Sequence, residues 1–190
     1  MANPLHSNKT AEWYTPDSIV RDVERVFGGR IYLDPCSCAE AQRVVKARTF
    51  YTADVNGLME PWHGPTVYVN PPSKCGDDHP VCGGHKRCTC KLPLRFMKRT
   101  FEAFYEEEVE HAMYMGFNLG QLKYLSRIWY NPEHVRFVLL HKRIKFWQPN
   151  ADKNNPTQDN FLMLLTEDMK TRTKFDEIFS EQGIVCSPLG

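Results

Sequence analysis

In the stretch Thr66-Val67-Tyr68-Val69-Asn70-Pro71-Pro72-Ser73, residue type and spacing combine into possible chemistry. Four β-branched and aromatic residues read as a strand, and the prolines end it because neither can donate to a ladder or continue into a helix interior. The loop that follows is stiff. Such a loop holds one amide side chain and one or two backbone carbonyls in fixed directions. A pair of fixed acceptors is what an exocyclic amino group needs to be oriented as a nucleophile. Asn70 Oδ1 and the Pro71 carbonyl are the candidate acceptors. Because Asn-Pro also punctuates ordinary turns, the rest of the chain must supply the context.

The chain has 190 residues, 42% of them hydrophobic, which suits one domain with a buried core. A formal net charge of +1 creates no global positive field, so contact with nucleic acid must come from a local patch. No apolar run is long enough to span a membrane, and Met1-Ala2-Asn3-Pro4-Leu5-His6 lacks the pattern of an export signal. A cytoplasmic protein is expected, with no membrane and no protein partner implied. In that compartment an odd count of seven cysteines, with Cys75, Cys82, Cys88 and Cys90 crowded together, favours metal over disulfides.

Those four cysteines lie in an insertion, 74–91, that carries too little apolar bulk to fold around a core; a tetrahedral zinc ion can order it instead. Its spacing, C-x6-C-x5-C-x-C, is not a common finger or ribbon pattern, and His79 or His85 can replace one thiolate. Free thiols in a flexible loop are the competing reading. Lys74, Lys86, Arg87, Lys91, Arg95, Lys98 and Arg99 supply the local basic patch.

The elements that must position Asn70 follow from the pattern. Thr15-Pro16-Asp17 opens a helix, with Thr15 able to cap it, and Ile19, Val20, Val23, Val26 and Phe27 recur at helical spacing before Gly28-Gly29. Ile31-Tyr32-Leu33 reads as a buried strand ended by Asp34-Pro35, which puts an acid where open parallel sheets bind ligands. The loop 35–40 has no glycine, which argues against NAD or FAD, and Cys36 and Cys38 read from the residues alone as packing thiols. Phe50-Tyr51-Thr52 suggests a short strand, and Asn56-Gly57 a turn. Leu92-Pro93 begins a long helix whose Glu106-Glu107-Glu108 end reads as a solvated face. Residues 112–117 form a strand, Asn118 caps a helix from Leu119 to Trp129, 135–140 and 160–165 are strands, and Met169 to Phe179 is a last helix. Arg143, Phe146 and Trp147, within 141–159, offer charge and stackable surface to a nucleic acid. Strands and helices alternating in this rhythm imply an α/β three-layer domain with a mainly parallel sheet.

Asn70-Pro71-Pro72, taken with Glu12-Trp13-Tyr14-Thr15-Pro16, Leu33-Asp34-Pro35-Cys36-Ser37, Asp54, Gly57-Leu58 and Trp62, resembles the small phage and prophage DNA N6-adenine methyltransferase family. The resemblance is strongest over residues 12–73. It implies a Rossmann-like fold spanning 1–190 that binds S-adenosylmethionine and acts on DNA. It also implies a catalytic loop of Asn70, Pro71, Pro72 and Ser73, and a cofactor site drawn from Tyr14, Thr15, Pro16, Asp34, Pro35, Cys36, Asp54, Leu58 and Asn70. The Thr-Pro turn would lie near the methionine end of the cofactor, and Asp54 would accept from its adenine amino group. Lys74, Lys86, Arg87, Lys91, Arg143 and Trp147 are the expected nucleic-acid contacts. The chain departs from the family pattern at Ser73, where an aromatic residue stacks on the target base. Trp147 or Phe146 is then expected to replace that ring. Otherwise the target is another amino group, such as cytosine N4, or the protein is a non-catalytic zinc-dependent nucleic-acid-binding protein on the same fold.

Overall fold

The computed structural model describes residues 13–73, 91–128, 130–148 and 159–188. The 74–91 insertion, apart from Lys91, therefore lies outside the described residues, as do Glu12 and Trp129.

Helix α1, Asp17–Phe27, buries Ile19, Val20, Val23 and Val26 along one stripe. It stops at Gly28, whose φ of 72° is left-handed. The Gly28 N–H donates to Arg25 O and the Gly29 N–H to Glu24 O, the paired bonds that satisfy a helix's last carbonyls. Thr15 does not cap this helix: Pro16 is the capping residue, and the Thr15 hydroxyl is engaged elsewhere. Strands β1, Leu33–Asp34, and β2, Thr49–Phe50, flank the short helix α2, Gln42–Val45, and β3 runs Gly64–Val69. Then come α3, Leu92–Tyr105, and β4, Val109–Gly116. The segment after Asn118 is a 3-10 helix, Leu119–Arg127, rather than the expected α-helix, although Asn118 does cap it by accepting from the Gly120 N–H at 2.7 Å. Strand β5, Val135–Leu140, β6, Phe161–Thr166, helix α4, Met169–Phe179, and β7, Gly183–Cys186, complete the order.

The seven strands form one sheet in the order β2-β1-β3-β4-β6-β5-β7. The pairs β1 with β2, β1 with β3 and β3 with β4 are parallel; β4 with β6, β5 with β6 and β5 with β7 are antiparallel. The sheet is thus mixed rather than mainly parallel in its pairing. The rhythm of apolar runs does not encode this, because β6 is buried at all six positions and a doubly covered strand reads the same in either direction. Strand β7 has only the three-residue apolar run Ile184-Val185-Cys186, too short to announce it, and Ile184 is 60% exposed.

Helix α3 covers one face through Phe96, Met97, Phe101 and Phe104, packed with Trp62, Tyr114 and Phe161. Helices α1 and α4 cover the other, where Val20, Val23, Phe175 and Phe179 meet Tyr68, Met113 and Leu164. No helix among the described residues is long and apolar enough to cross a membrane.

Two residues assigned to surface roles from sequence instead form a lock. Arg99 donates to Glu108 at 2.6 Å with both side chains largely covered, and its guanidinium lies 5.0 Å over the Trp62 ring. Glu108 also accepts from the Trp62 backbone N–H at 3.0 Å. Arg99 is therefore not part of a free basic patch, and Glu108 is not a solvated face. Burial pushes the Glu108 carboxyl up, but the Arg99 and Trp62 hydrogen bonds and the Arg99 and His63 charges outweigh it and hold it below its ordinary 4.5. Arg99→Ala is expected to lower unfolding free energy by ~1–3 kcal/mol, because it strands a covered carboxylate. The loss should be full above the ordinary glutamate range and shrink as pH falls through the lowered value. Denaturant titration at pH 7 and pH 3 checks both; equal stability of variant and wild type at pH 7 contradicts the lock.

Candidate active site at the sheet switch point

Strand order reverses between β1 and β3: the chain leaves β1 for β2 at one edge, then returns to the other side of β1. In open α/β sheets the crevice beyond the carboxyl ends at such a point is where ligands bind. Asp34 ends β1 and Asn70 follows β3, so the two motifs read from sequence flank this crevice. Leu140 ends β5 on the same side, and Thr15-Pro16 leads into α1 there.

One contact fixes the orientation of the Asn70 side-chain amide. Its Nδ2 donates to the Trp13 carbonyl at 3.1 Å, while Oδ1 is buried and has no hydrogen-bond partner among the described residues. Pro71 is buried, Pro72 half-buried and Ser73 exposed. The segment carrying Trp13 is itself tied down. The Thr15 hydroxyl shares a buried 2.9 Å hydrogen bond with the Tyr68 hydroxyl. Tyr14 and Trp147 exchange backbone hydrogen bonds at 3.0 Å each. Their rings meet edge to face at 5.0 Å, and Trp147 Nε1 donates to the Thr15 carbonyl at 3.2 Å. Segments 13–15 and 146–148 thus form a strap across the end of β3.

On the β1 side, Asp34 is 3% exposed. Gln42 Nε2 donates to its Oδ2 at 2.9 Å, and the Cys36 N–H to its Oδ1 at 3.4 Å. Gln42 also donates to the Ser37 hydroxyl at 2.7 Å and accepts from the Ala47 N–H, so Asp34 organises the loop from Pro35 to Gln42. Burial pushes the Cys36 thiol up, the Asp34 charge adds to this, and the Asn70 backbone N–H partly offsets it, which links the two loops. The Tyr68 phenol is likewise pushed up, chiefly by burial. Asp54 is exposed, in the turn after β2, while Leu58 is half-buried. That turn lies against the Asp34-Pro35 loop at Gly57: a Cβ there would fall 1.8 Å from the Pro35 carbonyl oxygen. Trp62 Nε1 secures the turn by donating to Gly57 O at 2.7 Å.

The structure thus brings together Tyr14, Thr15, Pro16, Asp34, Pro35, Cys36, Asn70, Pro71 and Trp147, with the Asp54–Leu58 turn alongside. Lys91 precedes α3, with Nζ donating to the Tyr124 hydroxyl at 3.2 Å. Arg143 pairs with Asp159 at 2.9 Å beside a cleft of about 380 Å³ that also includes Pro16, His141, Lys142 and Lys145. The proposed metal ligands Cys75, Cys82, Cys88 and Cys90, with His79 and His85, lie outside the described residues, as do Lys74, Lys86 and Arg87. Among the described residues no cluster of three His, Cys, Asp or Glu side chains could hold a metal. Sequence reasoning missed Gln42 and Tyr68 as site-building residues and assigned no role to Trp13. Only Tyr68 carried a signal, lying on β3 two residues before Asn70.

An open α/β sheet with Asp34 and Asn70 at its switch point is consistent with a methyltransferase fold, the class anticipated from the motifs. The model of the DNA N-6-adenine-methyltransferase (Dam) family matches residues 3–182, and the chain belongs to that family. Comparisons with curated proteins and with solved structures return no match.

Burial pushes the Asp34 carboxyl from its ordinary 3.8 up to about 6, although Ser37, Cys36 and Gln42 donate to it. A raised carboxylate pKa opposes folding above about pH 6, and the opposition is relieved as pH falls through 6 towards 3.8. Carbon-detected NMR of the Asp34 carboxyl is expected to show a midpoint near 6. A midpoint at the ordinary value contradicts the burial described.

Proposed function

We propose that the protein transfers a methyl group from S-adenosylmethionine to the exocyclic N6 amino group of adenine in DNA, with Asn70 at the reacting centre. One observation carries this reading: Asn70 Oδ1 is buried without a partner among the described residues while Nδ2 is anchored to Trp13. A buried acceptor left unsatisfied costs about 1–3 kcal/mol. A ligand N–H at this position removes that cost.

S-adenosylmethionine, when bound, supplies an electrophilic methyl group on a positively charged sulfur. The chain's own contribution is to hold the target nitrogen. Asn70 Oδ1 and the Pro71 carbonyl accept from the two amino protons, drawing the nitrogen lone pair out of the ring and into line with the methyl carbon. With S-adenosylmethionine held by the Thr15-Pro16, Asp34–Cys36 and Asp54–Leu58 segments, the target nitrogen would take the methyl group, the sulfur would keep the carbon–sulfur electron pair, and the extra proton on nitrogen would leave to water. Positive charge grows on the nitrogen during this step, so the two acceptors bind the transition state more tightly than the ground state. The adenine must first leave the duplex stack. The Thr15-Pro16 turn, the Asp34–Cys36 loop and the Asp54–Leu58 turn, which line the crevice beyond β1, β2 and β3, are the proposed cofactor site. Arg143, at the cleft beside α1, and Lys91 are proposed phosphate contacts. DNA as substrate suits a cytoplasmic protein.

Asn70→Ala is expected to reduce methyl transfer about 100- to 1000-fold while calorimetric affinity for S-adenosylmethionine stays within a few fold. Full transfer by this variant rules out the mechanism.

The composition and spacing of the 74–91 stretch support a second proposal, that Cys75, Cys82, Cys88 and Cys90, with His79 or His85 as alternates, hold one zinc ion beside the DNA-contacting Lys74, Lys86 and Arg87. Elemental analysis of protein purified without added metal is expected to find about one zinc per chain, and Cys88→Ser to lower both zinc content and DNA affinity while sparing the cofactor. Metal-free protein with full activity on DNA reduces the stretch to reduced thiols.

A further inference from the structure

A flipped adenine needs an aromatic face to replace the stacking it loses, and the catalytic loop lacks one because Ser73 follows Asn70-Pro71-Pro72. The rings expected from sequence to fill this role are already committed. Phe146 is 7% exposed and packs on Phe117 at 5.2 Å between ring centres. Trp147 is edge-on to Tyr14 and spends its Nε1 on Thr15. Tyr124 lies under two cations, Lys91 at 5.9 Å and Arg127 at 5.1 Å.

Two large aromatic side chains stand out as exposed among the described residues: Phe50, at 39%, and Trp13, at 38%. Phe50 is on the edge strand β2, separated from β3 by β1. Trp13 is one hydrogen bond from Asn70, through the 3.1 Å contact between its carbonyl and Nδ2. Trp13 is thus an exposed aromatic residue whose backbone is already fixed to the amide that carries the unsatisfied acceptor.

We propose that Trp13 supplies the π-face on which the target base stacks, in the place that Ser73 leaves empty. This rests on the methyl-transfer reading and adds a base-binding residue to it. A single residue would then act twice: its carbonyl aims the Asn70 amide, and its ring holds the base whose amino group that amide receives. The two roles separate cleanly, because side-chain substitutions at position 13 leave the carbonyl in place.

The test is steady-state methylation of unmethylated genomic DNA by wild type, Trp13→Ala, Trp13→Leu and Trp13→Phe, with S-adenosylmethionine affinity and melting temperature measured in parallel. Trp13→Ala is expected to lower kcat/KM for DNA about ten- to hundredfold, the range that base–aromatic stacking supports. Trp13→Leu, which keeps apolar bulk without a π-face, is expected to stay low, and Trp13→Phe to recover most of the loss. Cofactor affinity and melting temperature should not move. Wild-type kcat/KM in Trp13→Ala, or a leucine variant as active as the phenylalanine one, overturns the stacking role while leaving the function of Asn70 standing. Absence of adenine methylation by the wild-type protein overturns both.

Discussion

The hydrogen bond from Asn70 Nδ2 to the Trp13 carbonyl is the contact on which the site depends. A side-chain amide carries a donor end and an acceptor end of nearly the same shape, and without an anchor it can present either to a ligand. Committing the donor end to a backbone carbonyl leaves Oδ1 as the uncommitted acceptor end, a buried atom that lacks a partner among the described residues. The anchor spans 57 residues of sequence, so it exists only once the fold has brought the segment before α1 to the end of β3. The Thr15–Tyr68 bond and the Tyr14–Trp147 pairing hold that segment in turn.

The sheet explains why these segments meet. Because β1 and β3 are neighbours with connections departing to opposite sides, their carboxyl ends lie at the point where sheets of this kind bind ligands. Asp34 closes one wall by gathering Cys36, Ser37 and Gln42 around its carboxyl, a buried acid used to shape a loop. Helix α1 and the 141–148 segment close the other. The Arg99–Glu108 lock is remote from this crevice and serves the core, holding Trp62, which in turn fixes Gly57 and the turn bearing Asp54.

The elements with strong periodicity were legible in the residues. Helices α1, α3 and α4 and strands β3 to β6 fall where apolar spacing and turn residues place them, and Asp34 and Asn70 end adjacent strands as the motifs imply. What was not legible depends on partners far away in sequence. Thr15 has the chemistry of a helix cap, yet Tyr68 claims its hydroxyl; Arg99 and Glu108 look like surface charges until the fold pairs them against Trp62. The direction of β6 and the existence of β7 are set by tertiary pairing rather than by local propensity. Trp13 lay inside a motif recognised from sequence, but its closeness to Asn70 is a product of the fold alone.

The account stands or falls on where the methyl group goes. The most direct measurement is to incubate unmethylated DNA with the protein and S-adenosylmethionine labelled in its methyl group, digest the DNA to nucleosides, and separate them. The account predicts that the label co-elutes with N6-methyldeoxyadenosine. Label in N4-methyldeoxycytidine, or no label in any nucleoside, contradicts it.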